Sequence, residues 1–156
     1  MRFKALMLTL VLLLPGCLDS EGEEIRFNGR NLEGSDVYMF TLEDSKGPLW
    51  NLTEQEGKVV VLAFIFTRCD NTCPVTSQNL KVVYESLTED ELAKVSFVSV
   101  TVDWRHDSPS ELNNWSDRMG YDWPHLTGAK QALDPVYENY GVFPVEQGDD
   151  SDEGYT

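Results

Sequence analysis

The stretch on which the fold turns is Lys58-Val59-Val60-Val61-Leu62-Ala63-Phe64-Ile65-Phe66-Thr67-Arg68-Cys69-Asp70-Asn71-Thr72-Cys73-Pro74. From Val59 to Phe66 every residue is apolar, β-favouring types dominate and nothing alternates, which is the pattern of a central strand buried on both faces. The run ends at Thr67-Arg68-Cys69. Pro74 then suits the first turn of a helix, where its missing N–H leaves no bond unmade. Val75, Leu80, Val83, Tyr84 and Leu87 follow at near-helical spacing. The two cysteines therefore lie where a strand hands over to a helix.

Downstream, Val95 to Val102 reads as a second buried strand leading into Asp103-Trp104-Arg105-His106-Asp107. Ser108 is placed as an N-cap, with Pro109 at the first helical position and Glu111 three residues after the cap, and that helix runs to Met119 and stops at Gly120. His125-Leu126-Thr127-Gly128 predicts a short strand and turn, Gln131 to Tyr140 a helix, and Gly141 to Val145 the start of another strand. Upstream, Val37 to Leu42 and Leu49 to Leu52 flank the turn Asp44-Ser45-Lys46-Gly47-Pro48, predicting a hairpin. Alternating strands and helices mean a mainly parallel α/β sheet.

The N-terminus is of a different kind. Arg2 and Lys4 precede the apolar run Ala5 to Leu14 and then Pro15-Gly16-Cys17, a secretion signal over residues 1–16 whose run is about half the roughly 20 residues of a membrane-spanning helix. Leu14-Pro15-Gly16-Cys17 resembles a lipobox, making Cys17 the expected lipidation site; an ordinary signal and an uncleaved anchor are the alternatives. Each places the domain on the extracytoplasmic side, and lipidation ties it to the membrane surface. Residues 17–35 read as a polar tether, and residues 36–156 as one domain with a single core.

The chain carries 12 Lys and Arg against 27 Asp and Glu, a net charge of −15, which becomes −17 without the leader. A phosphate backbone needs a basic footprint that this composition lacks, so nucleic acid is excluded as a partner. Most of the acid reads as solvated surface.

If Cys17 is lipidated, Cys69 and Cys73 form the one pair available for a disulfide within the mature chain. On a helix their Cα atoms stand about 6 Å apart along the axis, within reach of a disulfide or of one soft metal ion. The helix N-terminus is expected to favour thiolate over thiol and so lower the pKa. A disulfide closing so short a loop constrains the unfolded chain little, so chemistry is a better account of the pair than a staple. Spacing alone leaves redox exchange and metal binding both open.

The segment Gly57 to Pro74, with Cys69-Asp70-Asn71-Thr72-Cys73-Pro74 as a C-x-x-x-C-P motif after Phe66-Thr67, resembles the SCO/SenC family of copper chaperones. Val102-Asp103 with Asp107-Ser108-Pro109, then Leu126-Thr127-Gly128, then Tyr137-Glu138-Asn139-Tyr140-Gly141-Val142 are similar to that family's later landmarks, in order, over residues 36 to 145. The resemblance implies an α/β thioredoxin-like fold with an N-terminal β-hairpin. It also implies a membrane-tethered domain that helps assemble the dinuclear copper centre of cytochrome c oxidase. The family binds copper through its two motif cysteines and a histidine in an Asp-His element, which carries over to Cys69 and Cys73 as metal ligands and redox pair.

The third ligand has no matching position. The sequence stops at Gly154-Tyr155-Thr156, about where the Asp-His element is expected, so the fold is read as incomplete at its C-terminus and marginal in stability. Neither histidine substitutes by motif: His106 reads as an exposed loop residue and His125 as a partly buried structural one. Asp103 and Asp107 are candidate acids behind the sulfurs or the beginning and cap of a helix, the structural reading being preferred for Asp107, and Trp104, Trp115 and Trp123 read as core or rim aromatics. Two thiolates without an imidazole suit Cu(I) better than Cu(II).

The leading reading is thus a metallochaperone rather than an enzyme. Its expected partners are the copper-centre subunit of cytochrome c oxidase, other copper or thiol-redox proteins, and the membrane through a lipid anchor. A thiol-disulfide oxidoreductase acting on partner cysteines, a peroxiredoxin-like peroxidase and a truncated surface lipoprotein are the alternatives.

Overall fold

The computed structural model describes residues 36–70 and 72–144; the leader, Cys17, the tether and the acidic terminus lie outside them. Ten elements follow one another: β1 (Thr41–Asp44), β2 (Leu49–Asn51), a 3-10 turn (Leu52–Gln55), β3 (Val59–Ile65), α1 (Thr72–Ser86), α2 (Glu89–Leu92), β4 (Val95–Thr101), α3 (Pro109–Met119), β5 (His125–Thr127) and α4 (Lys130–Tyr140). The strands form one sheet in the order β2-β1-β5-β4-β3. β3 runs parallel to β4 from Val59 against Val95 to Ile65 against Thr101, and β4 runs parallel to β5. The β1–β2 hairpin closes the other side antiparallel, with Glu43 opposite Thr127.

The pleat sends alternate residues to opposite faces and gives the sheet two cores. Val98 and Val100 of β4 and Leu126 of β5 join Leu42, Trp50, Leu133, Val136 and Tyr137 on the face covered by α4. On the other face Ala63, Ile65 and Phe97 meet Cys73 of α1, Leu112 and Trp115 of α3, and the loop aromatics Tyr121 and Trp123. Among the described residues no helix is long and apolar enough to cross a membrane.

Several expectations need correction. Among the described residues β3 pairs with β4 alone and so stands at the edge of the sheet, where a central strand was expected, and Val59 is 64% exposed. A continuous apolar run reports a preference for burial but not how many neighbours a strand has. For the same reason only part of the apolar face read on α1 is covered: Leu80, Tyr84 and Leu87 pack on the core, whereas Val75 and Val83 are exposed at 61% and 49%. Residues 141–144 form no strand; Gly141, at φ 65, ends α4 in the left-handed conformation that glycine adopts without strain. The short α2 was not anticipated, although Thr88 and Glu91 make the reciprocal capping box that signals a helix start.

Candidate functional site

The site assembles where β3 and β4 end side by side. Beyond Ile65 the chain makes a tight turn, with the Cys69 N–H donating to the Phe66 carbonyl at 3.3 Å, and enters α1 at Thr72. Cys69 is half-buried on this turn, Cys73 is buried in the first turn of α1, and both are free thiols. The Cys73 N–H donates to Cys69 Sγ at 3.1 Å, so a helix N-terminal donor points at the more exposed sulfur.

The expected lowering of the pKa by the helix N-terminus does not hold for Cys73, whose thiol is pushed up to about 12. Burial is the main cause; the side-chain hydrogen bond with Cys69 and the charges of Cys69 and Asp107 add to it, and the Phe66 backbone opposes. The sulfur of Cys73 lies among Ala63, Ile65 and Phe97, and the loss of water outweighs the field of the helix end.

The loop after β4 supplies two acids. Asp103, with a side chain 4% exposed, receives Arg68 Nη2 at 2.8 Å and His106 Nδ1 at 2.8 Å. Burial works against its ionised form, but the hydrogen bonds and charges of His106 and Arg68 outweigh it and hold the carboxyl below its ordinary range. Asp107, fully buried, accepts from the Thr67 N–H at 3.1 Å, the Thr67 hydroxyl at 2.5 Å and the Thr101 hydroxyl at 2.5 Å. Its carboxyl is nonetheless raised, because burial exceeds the effect of those bonds and the Asp103 charge adds to it. The helix cap belongs to Ser108, whose hydroxyl accepts from the Glu111 N–H at 3.2 Å. Asp107 is therefore a buried clamp and not the start of a helix, and Thr67 and Thr101, each just past or at the end of its strand, are its partners.

The histidines separate. His106 sits on Asp103 with Arg68 Nη2 at 2.9 Å. His125 is wholly buried, not partly so, in a box of Trp115, Tyr121 and Trp123. Among the described residues no third histidine, cysteine or carboxylate joins Cys69 and Cys73 in a group able to hold a metal ion.

The model of the family described as SCO1/SenC matches residues 31–156. The chain belongs to the SCO1/SenC family. A SCO2-like protein of Rickettsia felis is 28% identical over 117 residues, 74% of this chain and 57% of the relative. The chain thus spans little more than half the length of the relatives it matches. Apo Sco1 from Thermus thermophilus superposes with a TM-score of 0.70 at 29% identity, covering 85% of this chain and 77% of that one. BsSco, the subject of a study of a disulfide switch in a member of the Sco family of cytochrome c oxidase assembly proteins, superposes at 0.59 with 25% identity, covering 76% and 72%. The mixed sheet with its N-terminal hairpin is the thioredoxin-like architecture that the family resemblance implied.

Proposed function

We propose that this SCO1/SenC protein is a membrane-tethered, extracytoplasmic Cu(I) carrier that serves the assembly of the copper centre of cytochrome c oxidase, with Cys69 and Cys73 as its thiolate ligands. The observation that carries the reading is the geometry of the pair: two free sulfurs four residues apart, one half-buried and one buried, with Cys73 N–H on Cys69 Sγ. Soft, low-coordinate sulfur sites suit Cu(I), and among the described residues no oxygen or imidazole ligand that would favour Cu(II) joins the pair. Loading displaces the Cys73 proton, since its thiol is protonated at neutral pH. A histidine from an Asp-His element, which the family resemblance places beyond the described residues, would complete a Cu(II) site. Lipidation at Cys17 supplies the tether.

Anaerobic titration of the reduced protein with Cu(I), beside a Cys69→Ser, Cys73→Ser double variant, tests the copper reading. One tightly held equivalent, lost in the variant, supports it; no uptake by the wild type removes it. Release of a Cys17→Ser variant from the membrane fraction tests the anchor.

The asymmetry of the pair also supports a second reading, thiol-disulfide exchange. Cys69 thiolate attacks a partner disulfide and expels one partner thiolate; deprotonated Cys73 then attacks Cys69 Sγ, closes the internal disulfide and releases the second. The partner gains two electrons and this protein loses two. Turnover of a model disulfide by the copper-free protein, with a source of reducing equivalents, separates the two readings.

A further inference from the structure

The turn that presents Cys69 is fastened from one side by a single buried group. Three donors converge on the Asp107 carboxylate, two from Thr67 and one from Thr101. The Thr101 hydroxyl also accepts the Asp103 N–H at 2.9 Å, and the Tyr137 hydroxyl donates to the Thr101 carbonyl at 2.7 Å. Asp107 is thus anchored to β4 and α4, while Thr67 lies two residues before Cys69. Taking a carboxylate out of water is costly, and the group earns its place only through its donors. An ionised carboxylate accepts at both oxygens with about four lone-pair sites, whereas an amide offers one oxygen and turns two N–H groups toward donors already present.

We infer that Asp107 is a positioning residue for the cysteine pair: through Thr67 it fixes where the turn holds Cys69 Sγ against the Cys73 N–H of α1. The inference rests on the reading of Cys69 and Cys73 as the working thiols, but not on copper being the cargo. Asp107 acts through Thr67, to which it is bonded. It acts on the sulfur as outer hydrogen-bond partners act on metal ligands elsewhere, where their loss lowers affinity by about ten- to a hundredfold.

The test compares the full chain with Asp107→Asn, Thr67→Val and, as a control for stability alone, Leu133→Ala, which opens a cavity in the core on the α4 face. Three quantities are read well below the melting temperature of each: Cu(I) affinity against a chromophoric Cu(I) chelator, the rate of Cys69 alkylation by iodoacetamide, and the fold by circular dichroism. Asp107→Asn is expected to weaken Cu(I) by about tenfold or more and to slow alkylation by about threefold or more, because Cys69 Sγ loses its held N–H donor. Thr67→Val, which keeps its backbone N–H, shifts both in the same direction but less, and Leu133→Ala moves neither.

Wild-type affinity and alkylation in a folded Asp107→Asn overturn the inference. If that variant fails to fold, Thr67→Val decides alone, and no change in it overturns the inference equally. Equal changes in Leu133→Ala also overturn it, since the effect would then follow stability. If the wild type takes up no Cu(I), the copper reading fails while the alkylation rates still decide the role of Asp107.

Discussion

The backbone N–H of Cys73 donates to Cys69 Sγ across 3.1 Å, so the two cysteines are unequal before any ligand arrives. One sulfur is half-buried with a helix donor aimed at it; the other is buried, with its thiol pushed up to about 12 chiefly by desolvation. Iodoacetamide near pH 7.5 is therefore expected to label Cys69 first in the reduced protein and to leave Cys73 largely unmodified, as mapped by peptide mass spectrometry. Equal labelling at early times contradicts this assignment.

Copper loading should depend on pH in a way set by Cys73. Because that proton must leave for the sulfur to bind, apparent Cu(I) affinity is expected to rise by at least about tenfold per pH unit over the range from neutral to mildly alkaline, well below the folded pKa. Competition titrations at three pH values measure the slope, and Cys73→Ser should flatten it.

His125 makes the fold acid-sensitive. Desolvation, with the Lys46 charge adding, lowers its pKa from 6.5 to about 4 against a weak opposing pull of the Tyr121 backbone, and neither ring nitrogen has a partner at hydrogen-bond geometry. As pH falls below 6.5 the unfolded chain takes up a proton that the folded one refuses until about pH 4, so stability is lost across that window. The expected loss is about 2 kcal/mol between pH 7.5 and pH 5. Asp103, whose carboxyl is held low, adds a loss of the same sign at still lower pH. Chemical denaturation of His125→Phe, which removes the titrating ring, should show a flatter profile across the same window; an unchanged slope refutes the assignment.

Arg68 braces Asp103 from the cysteine side. Arg68→Gln leaves a 4% exposed carboxylate with less positive charge around it, while the Arg68 side chain itself is 51% exposed and water screens much of its contribution. A loss of about 1 kcal/mol at neutral pH is expected. A Tm shift within error would show that the pair contributes nothing measurable.

In the α3-side core, the Trp123 indole N–H donates to the Ser99 hydroxyl at 2.9 Å, both groups being buried. Trp123→Phe removes the donor and leaves ring contacts with Tyr84, Phe97 and Tyr121 thinned. Destabilisation of about 2 kcal/mol is expected from the orphaned hydroxyl and the lost volume. Denaturant midpoints measure it, and a neutral effect would place little energy in this bond.

Much of the frame was legible in local chemistry. Ser108, Pro109 and Glu111 mark the start of α3 and Gly120 its end, and the helix runs from Pro109 to Met119. β3 was visible as an unbroken apolar run and β4 as a valine-rich one broken by two serines, and the cysteine motif fixed the strand-to-helix junction. The role of Asp107 was not legible, because its partner Thr67 lies 40 residues away and becomes a neighbour only when β3 and β4 pair. The clue lay in Thr67 and Thr101, two hydroxyl residues closing two parallel strands, but only the register sets them against one carboxylate.

Sequence by itself singled out Cys69 and Cys73 as the candidate pair and marked the caps, turns and strands, since closely spaced soft sulfur and the cap, turn and apolar patterns are properties of short segments. Tertiary structure decided what those residues are like. It buried Cys73 deeply enough to reverse the helix-end effect on its thiol, enclosed His125 in aromatic rings, and turned Asp107 from a loop acid into the clamp on the Cys69 turn. Burial and long-range pairing depend on residues far apart in the chain, and desolvation, which acts through that burial, is the largest single influence on Cys73, Asp107 and His125 alike.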